Sequence, residues 1–307
     1  MSIINDRTSC FFNTTSKRTV MLAVDHGYFQ GPTTGLEQPR TLLQELMPHC
    51  DALSPAKGVL YHCIDQPCLK PIILRISGGN SMVYSDPVEL ERELTRRGTH
   101  LAQQGALGQM EQLRAQIQEE MVDRELANEG LTVSLAEAKR LGVQGVSVSI
   151  YVGSRYQRQT IENLARVVDE TRPEKIAVLG ITAVGKGLKR DARYLALASR
   201  IAAEHGADIV KTYYCENFEK VVDGCFVPVV IAGGKKLPEL EALQMCADAL
   251  QAGAAGVDMG RNIFQSENPR AMIQAITKVV HERYAPKEAY AFFQEQASQP
   301  AKLPGDL

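Results

Sequence analysis

Several features that identify whole classes of protein are missing from this sequence of 307 residues. Its 34 lysines and arginines against 36 acidic residues give a net charge of −2, which excludes the basic surplus typical of nucleic-acid-binding proteins. No apolar run reaches the roughly 18 residues that a membrane-spanning helix needs. Residues 1–7 lack the basic and apolar regions of a signal peptide, so we expect none.

Metal-binding and disulfide patterns are also missing. The 7 cysteines are scattered, odd in number and free of CxxC spacing, which predicts reduced thiols in a cytoplasmic protein. The sequence has neither an HExxH motif nor an acidic metal-binding box, and no Ser/His/Asp arrangement with a nucleophile elbow. We therefore expect a metal-free mechanism without a tightly bound cofactor.

Short apolar segments that alternate with amphipathic helices dominate what is present. Because these segments are apolar almost throughout, they indicate parallel strands covered on both faces. Eight such units favour a closed TIM (β/α)8 barrel over an open sheet, and no GxGxxG motif follows the first strand. The predicted strands are 19–25, 52–60, 71–76, 146–152, 175–181, 206–214, 227–232 and 255–260.

Two regions lie outside this repeating pattern, although we expect residues 1–307 to form a single TIM-barrel domain. The polar, turn-rich residues 1–18 predict an N-terminal arm that packs on the outside. Residues 84–127 are charged and poor in β-branched side chains, which predicts a helical insertion between the third and fourth barrel strands. Such an insertion can be a lid, an oligomer contact or a neutral elaboration.

One lysine, Lys211, lies in the middle of the predicted sixth strand, 206–214. A buried ammonium is costly, so the protein must either pair it or lower its pKa until the amine is neutral. A neutral amine in a dry strand is the nucleophile of a Schiff-base enzyme. The alternative is a structural lysine that pairs with a buried carboxylate or reaches solvent at the strand end.

Glycine-rich turns follow the last two predicted strands, which is where TIM barrels usually bind phosphate. Arginine supplies a bidentate fork for an anion and lysine a point charge. The alternative is that these are helix-initiating turns with surface cations. The predicted phosphate-binding residues are Gly233, Gly234, Lys235, Gly260 and Arg261.

Asp25 and His26 stand where the first strand opens into the pocket. Asp25 could move protons to and from a carbinolamine or pair with Lys211, and the alternative is a helix cap or a structural ion pair. His26 is a further catalytic candidate, with a hydrogen-bonded structural imidazole as the alternative. Other polar side chains expected at the strand ends are Arg75, Ser77, Asn80, Tyr151, Thr182, Lys186 and Tyr213.

Four of these segments together resemble the archaeal-type (DhnA-type) class I aldolase family. They are 24–27 (VDHG), 206–211 (GADIVK), 231–236 (IAGGKK) and 257–265 (VDMGRNIFQ). Within the family, residues 22–37 and 211–214 most closely resemble its thiolase branch, which acts in autoinducer-2 catabolism. The resemblance covers residues 18–82 and 128–285.

This resemblance implies that Lys211 forms the Schiff base, that Asp25 is an active-site acid, and that the two glycine turns and Arg261 hold phosphate. It also implies a phosphorylated ketone as substrate, coenzyme A as co-substrate, and a ring-built homo-oligomer, commonly of ten subunits. The tyrosine acid/base that sugar aldolases of the family carry after strand five is missing from residues 180–186. The 84–127 insertion is a second departure.

We therefore predict thiolase-like acetyl transfer from 3-hydroxy-5-phosphonooxypentane-2,4-dione, or an analogue, to coenzyme A, giving dihydroxyacetone phosphate. The alternative within enzymes is a class I aldolase or transaldolase that acts on a sugar phosphate with an aldehyde acceptor. The alternative from another class is a non-catalytic scaffold or sensor that binds a sugar phosphate.

Overall fold

Eight parallel strands form a barrel in the computed structural model, which describes residues 4–82, 87–103, 107–122, 125–183 and 189–298. A separate pair, β4 and β5, is antiparallel. In chain order the strands are β1 (Thr19–Val24), β2 (Ala52–Pro55), β3 (Ile73–Arg75), β4 (Ser77–Gly79), β5 (Glu129–Leu131), β6 (Gly145–Ile150), β7 (Ala177–Thr182), β8 (Ile209–Tyr213), β9 (Val229–Ala232) and β10 (Gly256–Met259).

The barrel strands are hydrogen-bonded in the order β2-β1-β10-β9-β8-β7-β6-β3. Parallel bridges from Leu53 to Ile72 and from Ala56 to Arg75 join the two end strands and close the ring. The predicted TIM barrel is confirmed. The predicted second strand, 52–60, was too long, because its apolar second half belongs to a helix that begins at Lys57.

Helices connect successive barrel strands. In chain order they are α1 (Gly27–Gln30), α2 (Pro39–Leu46), α3 (Lys57–Cys63), α4 (Pro87–Gln103), α5 (Leu107–Val122), α6 (Leu135–Arg140), α7 (Gln157–Thr171), α8 (Ala192–Glu204), α9 (Glu219–Asp223), α10 (Glu239–Gln251), α11 (Arg261–Phe264), α12 (Pro269–Glu282) and α13 (Pro286–Ser298).

Helix α8 shows how the sequence sets these boundaries and delivers the chain to Lys211. It begins after Asp191, whose side chain caps the helix by accepting a hydrogen bond from the Tyr194 amide. The face that carries Leu195 is buried against the barrel. Gly206 follows the helix with a φ of +91°, a conformation that favours glycine, and the chain then enters β8.

Helices α4 and α5 lie in the chain between β4 and β5. A Glu91–Arg114 ion pair of 2.9 Å joins them, and each helix buries an apolar side chain, Leu94 in α4 and Ile117 in α5. The predicted insertion of 84–127 stays a prediction as a whole, because residues 83–86, 104–106 and 123–124 lie outside the described residues.

The N-terminal arm does not pack only on the outside, so that prediction was wrong. Phe11 and Phe12 are 0% and 5% exposed, and they pack with Met21, Ile73 and other barrel side chains in a cluster separate from the main core. An arginine of the arm, Arg7, also forms an ion pair with Asp208. The arm therefore contributes two aromatic side chains to the interior of the barrel.

The cysteines of this chain are unpaired thiols. All 7 cysteines are free, and burial raises the pKa of the Cys50 and Cys246 thiols to about 12. Among the described residues, no cluster of three or more His, Cys, Asp or Glu side chains could hold a metal ion. Within the same residues, no helix has both the length and the apolar character that a bilayer span needs.

Candidate active site

A cavity of about 330 Å³ opens at the carboxyl ends of the barrel strands. Parallel strands all end at the same face of a barrel, so residues distant in the chain meet there. All of the residues predicted for the site line this cavity: Asp25, His26, Lys211, Gly233, Gly234, Lys235, Gly260 and Arg261. The structure thus brings together two groups that the sequence analysis had identified separately.

Lys211 lies in β8, and its ammonium is paired with a buried carboxylate, as the structural alternative for this lysine had it, although the acid itself, Asp258, was not singled out from the sequence. Its Nζ is 2.9 Å from Oδ2 of Asp258, whose side chain is completely buried. The hydroxyl of Ser54 donates a second hydrogen bond of 3.3 Å to that oxygen. Burial raises the pKa of the Asp258 carboxyl, and the Lys211 charge opposes this rise.

Pairing with Lys211 was one of the roles left open for Asp25, and the structure pairs Lys211 with Asp258 instead. Asp25 lies 3.6 Å from Nη1 of Arg75 and 3.8 Å from Nδ1 of His26. Asp258 could have been identified from the sequence, because it is a lone acid inside the apolar strand β10. A carboxylate in such a strand needs a buried cation.

His26 is held in its neutral form. Burial lowers the pKa of its imidazole to about 4, against an opposing effect of the Asp25 carboxylate. Its Nδ1 is buried and has no hydrogen-bond partner among the residues that the structure describes, and its ring packs edge-on against Phe264. The imidazole therefore lines the cavity without charge near pH 7.

A buried polar network forms the wall of the cavity at β3, β5 and β6. Its centre is Glu129, 2% exposed, which accepts hydrogen bonds from Arg75, Tyr28, Ser77 and Tyr151 at 2.7–3.2 Å. Arg75 and Tyr151 were expected at strand ends, but no sequence pattern identified Glu129 as their common partner. Glu129 lies 54 residues from Arg75 in the chain, and only the fold joins them.

The two glycine turns are locked to each other by Asn262. Its amide nitrogen donates to the Gly233 carbonyl at 2.6 Å, and its amide oxygen accepts from the Leu237 amide at 2.8 Å. Gly234 has a φ of +68°. These bonds hold the backbone beside the cavity, where its amides can face an anion.

The cations at these turns have different environments. Nε of Arg261 is buried and finds no hydrogen-bond partner in the described part of the chain, and burial lowers the pKa of its guanidinium. Lys235 lines the cavity, whereas Lys236 turns away and binds Glu239 at 2.7 Å. Arg190, which the sequence analysis did not identify, lies 3.7 Å above the Tyr213 ring at the same cavity. The site is therefore strongly cationic on the side of β8 to β10.

Comparison with known proteins identifies the family of this chain. The family model described as DeoC/LacD family aldolase matches residues 19–266. The chain belongs to this aldolase family. It is thus an enzyme of the class I aldolase type, and the resemblance stated from the motifs is confirmed.

Curated relatives of this aldolase include two named 3-hydroxy-5-phosphonooxypentane-2,4-dione thiolase. The protein from Klebsiella pneumoniae is 46% identical over 294 residues, covering 95% of this chain and 86% of that relative. The protein from Escherichia coli K12 is 42% identical over 291 residues, covering 94% and 86%.

Two solved structures share the fold. A crystal structure of an archaeal fructose 1,6-bisphosphate aldolase has a TM-score of 0.70 at 23% identity and covers 90% of this chain and 98% of its own. The fructose-bisphosphate aldolase from Slackia heliotrinireducens has a TM-score of 0.71 at 15% identity, with 98% and 95% covered. At these identities the likeness supports the barrel alone.

The family's tyrosine after strand five has no counterpart in residues 180–183, and Lys186 lies outside the described residues. A phenol does reach the cavity from the end of the preceding barrel strand, at Tyr151. Its hydroxyl is bound to Glu129, and burial is the main cause that raises its pKa above the ordinary value.

Proposed function

We propose that this aldolase uses Lys211 to form a Schiff base with a phosphorylated diketone and transfers its acetyl group to coenzyme A. The observation that carries the proposal is the Lys211–Asp258 contact of 2.9 Å in a cavity that the two glycine turns also line. The substrate, 3-hydroxy-5-phosphonooxypentane-2,4-dione or an analogue, is suggested by the names of relatives 42–46% identical to this chain.

Binding begins at the phosphate. The amides of the glycine turns and the side chains of Lys235 and Arg261 face the cavity, where they can hold a dianion. The buried Nε of Arg261, which has no partner in the described structure, would gain one. This anchoring places the ketone next to the phosphate within reach of Lys211.

Asp258 then makes Lys211 nucleophilic. Because burial raises the pKa of the carboxyl, transfer of the ammonium proton to it replaces two buried charges with a neutral acid and a neutral amine. The free Nζ attacks the carbonyl carbon and forms a carbinolamine. Asp25 follows β1, which is the strand next to β10 in the barrel. It assists the proton transfers that remove water and leave an iminium.

The iminium is an electron sink for cleavage of the next carbon–carbon bond. Attack of the thiol on the acetyl carbonyl and release of the electron pair give acetyl-coenzyme A and an enamine. Protonation and hydrolysis of that enamine release dihydroxyacetone phosphate and restore Lys211.

Borohydride trapping tests this proposal. The protein is incubated with dihydroxyacetone phosphate, reduced, and analysed by intact-protein and peptide mass spectrometry. We expect one reduced adduct on Lys211 and none in Lys211→Ala. The proposal fails if the compound binds but no lysine is modified, or if the Lys211→Ala variant turns over at the wild-type rate.

The acceptor needs a separate assay. Acetyl-coenzyme A formation from the diketone is expected to require added coenzyme A. Turnover that proceeds with an aldehyde and is indifferent to coenzyme A would identify an aldolase or transaldolase instead.

Assembly and location are further parts of the proposal, and they rest on the family resemblance. We propose a homo-oligomer of ten subunits in the cytoplasm. Light scattering on the purified protein is then expected to give about ten times the chain mass of 33.7 kDa. A mass of one chain would contradict this assembly.

A further inference from the structure

Arg75 is a buried guanidinium held rigidly at the wall of the cavity. It lies at the end of β3 and its side chain is 5% exposed. Nε donates to the Ser77 carbonyl at 2.8 Å. The two N–H groups of Nη2 are shared among the Glu129 carboxylate at 2.9–3.0 Å, the Ser149 hydroxyl at 2.6 Å and the Tyr28 hydroxyl. These bonds fix the plane of the guanidinium.

One nitrogen of this group is left for the cavity. Nη1 of Arg75 makes none of these hydrogen bonds, and its nearest acidic partner, Oδ2 of Asp25, is 3.6 Å away, beyond hydrogen-bond distance. Burial lowers the pKa of Arg75, but Glu129, Tyr28, Asp25 and Tyr151 together more than offset this and raise the pKa above its ordinary value. The group is therefore a permanent cation.

Arg75 lies across the cavity from the two glycine turns that are proposed to bind phosphate. In the barrel order, β3 is separated from β8 by β6 and β7, and from β10 by β2 and β1. Arg75 thus faces the cavity from the side opposite Lys211 and the turns after β9 and β10. A substrate with its phosphate at those turns and its ketone at Lys211 extends its acyl end towards Arg75.

We infer that Arg75 is a catalytic residue whose Nη1 stabilises the oxyanion formed on the acyl carbonyl of the substrate. The inference rests on the proposed function and deepens it. Thiol attack forms a carbon–sulfur bond and moves the carbonyl electron pair onto oxygen, while the thiol proton passes to the Asp25 carboxylate, which lines the cavity beside Arg75. When the oxyanion collapses, the carbon–carbon bond breaks and its electron pair enters the iminium to give the enamine.

A hydrogen-bond donor stabilises an oxyanion most strongly when it is held in place before the reaction, at a site from which water is excluded. Arg75 is held in this way, and its side chain is buried. Glu129 acts through Arg75 and is a positioning residue. Its backbone carbonyl is in turn bound by Gln159 and Asn163 of α7 at 2.7 and 3.0 Å, so the carboxylate is itself fixed.

Two partial reactions separate this role from the rest of the mechanism. Exchange of the carbon-bound hydrogen of dihydroxyacetone phosphate with deuterium oxide reports Schiff-base and enamine formation, which need no oxyanion. Coenzyme-A-dependent cleavage of the diketone reports the complete reaction. The variants are Arg75→Gln, Arg75→Lys and Glu129→Gln, with Arg40→Gln as a matched surface control, since Arg40 pairs with the exposed Asp65.

For Arg75→Gln we expect kcat for cleavage to fall about 100- to 1000-fold, as for removal of one oxyanion donor, with hydrogen exchange within a few-fold of wild type. Arg75→Lys should recover part of the loss, and Glu129→Gln should lower kcat with KM little changed. Arg40→Gln should match wild type.

Several results would overturn the inference. Equal losses in both partial reactions in Arg75→Gln and Arg75→Lys would make Arg75 a structural residue, and unchanged cleavage would remove it from the reaction. If Arg75→Gln does not fold, Arg75→Lys alone decides between these outcomes. A wild-type protein that neither exchanges hydrogen nor forms a borohydride adduct would instead contradict the proposed function.

Discussion

The ammonium of Lys211 lies 2.9 Å from a carboxylate, Asp258, that has no exposed surface. The other carboxylate oxygen, Oδ1, has no hydrogen-bond partner among the described residues. A buried acid with one free oxygen is costly and is kept where it has a use. In the proposed mechanism, this carboxylate takes the proton that Lys211 must lose before it can attack.

Asp258→Asn tests this relationship. The amide keeps the shape of the side chain but cannot accept the proton, so we expect adduct formation at Lys211 to slow by about 100- to 10,000-fold. The rate of borohydride trapping measures this. Ser54→Ala is the control, because it removes only the 3.3 Å hydrogen bond to Asp258, and its rate should stay within several-fold of wild type. Wild-type trapping by Asp258→Asn would disprove the role.

Arg261→Gln tests the phosphate site. Loss of a charged hydrogen-bond donor should weaken binding by about 1.5–3 kcal/mol, or roughly 10- to 150-fold in KM for the phosphorylated substrate. Trapping of unphosphorylated dihydroxyacetone should hardly change. Lys236→Ala is the matched control, since Lys236 binds Glu239 at 2.7 Å and does not line the cavity. An equal effect of both substitutions would place the phosphate elsewhere.

Gly260→Ala should damage the turn after β10. A Cβ at this position would lie 2.3 Å from Cε1 of His26 and 2.5 Å from the Ala23 carbonyl oxygen, which is backbone and cannot move cheaply. We expect a loss of about 1–3 kcal/mol in the free energy of unfolding, measured with urea. Gly58→Ala in α3, where the Cβ meets nothing within 4 Å, should instead be neutral or stabilising. Equal stability of the two variants would contradict the close packing.

The neutral state of His26 should make the protein less stable in acid. The folded-state pKa of about 4 is below the unfolded value of about 6.5, so the unfolded chain binds the extra proton first. The stability that this histidine contributes is present above pH 6.5 and is lost as the pH falls towards 4. Between pH 7 and pH 4 the loss is on the order of 3 kcal/mol.

Urea unfolding of wild type and His26→Gln at both pH values measures this contribution. The variant should lose less stability than wild type over the same range. If both lose the same amount, His26 is not the group responsible.

The barrel could be predicted from the sequence because its signal is local. Each strand is a short apolar run bounded by glycine, proline or polar residues, and the repeat of strand and helix specifies parallel topology. Errors arose where the local pattern was ambiguous. The apolar Val59 and Leu60 extended the predicted second strand, but in the structure they belong to α3.

The gathering of Asp25, Lys211, Gly233 and Arg261 could also be predicted, because every parallel strand of a barrel ends at the same face. Their individual partners could not. Lys211 binds Asp258 rather than Asp25. This pairing depends on the register of β8, β9 and β10, which sets the side chains that meet inside the barrel.

The contacts that only the tertiary structure decided are those between segments distant in the chain. Phe11 and Phe12 lie inside the barrel because its amino-terminal end offers apolar surface, although the arm around them is polar. Glu129 lies at the centre of the buried polar network because the buried Arg75 guanidinium requires a buried counter-charge. Local patterns in the sequence thus determined the strands and the face of the site, and the cost of burying charge determined which side chains meet there.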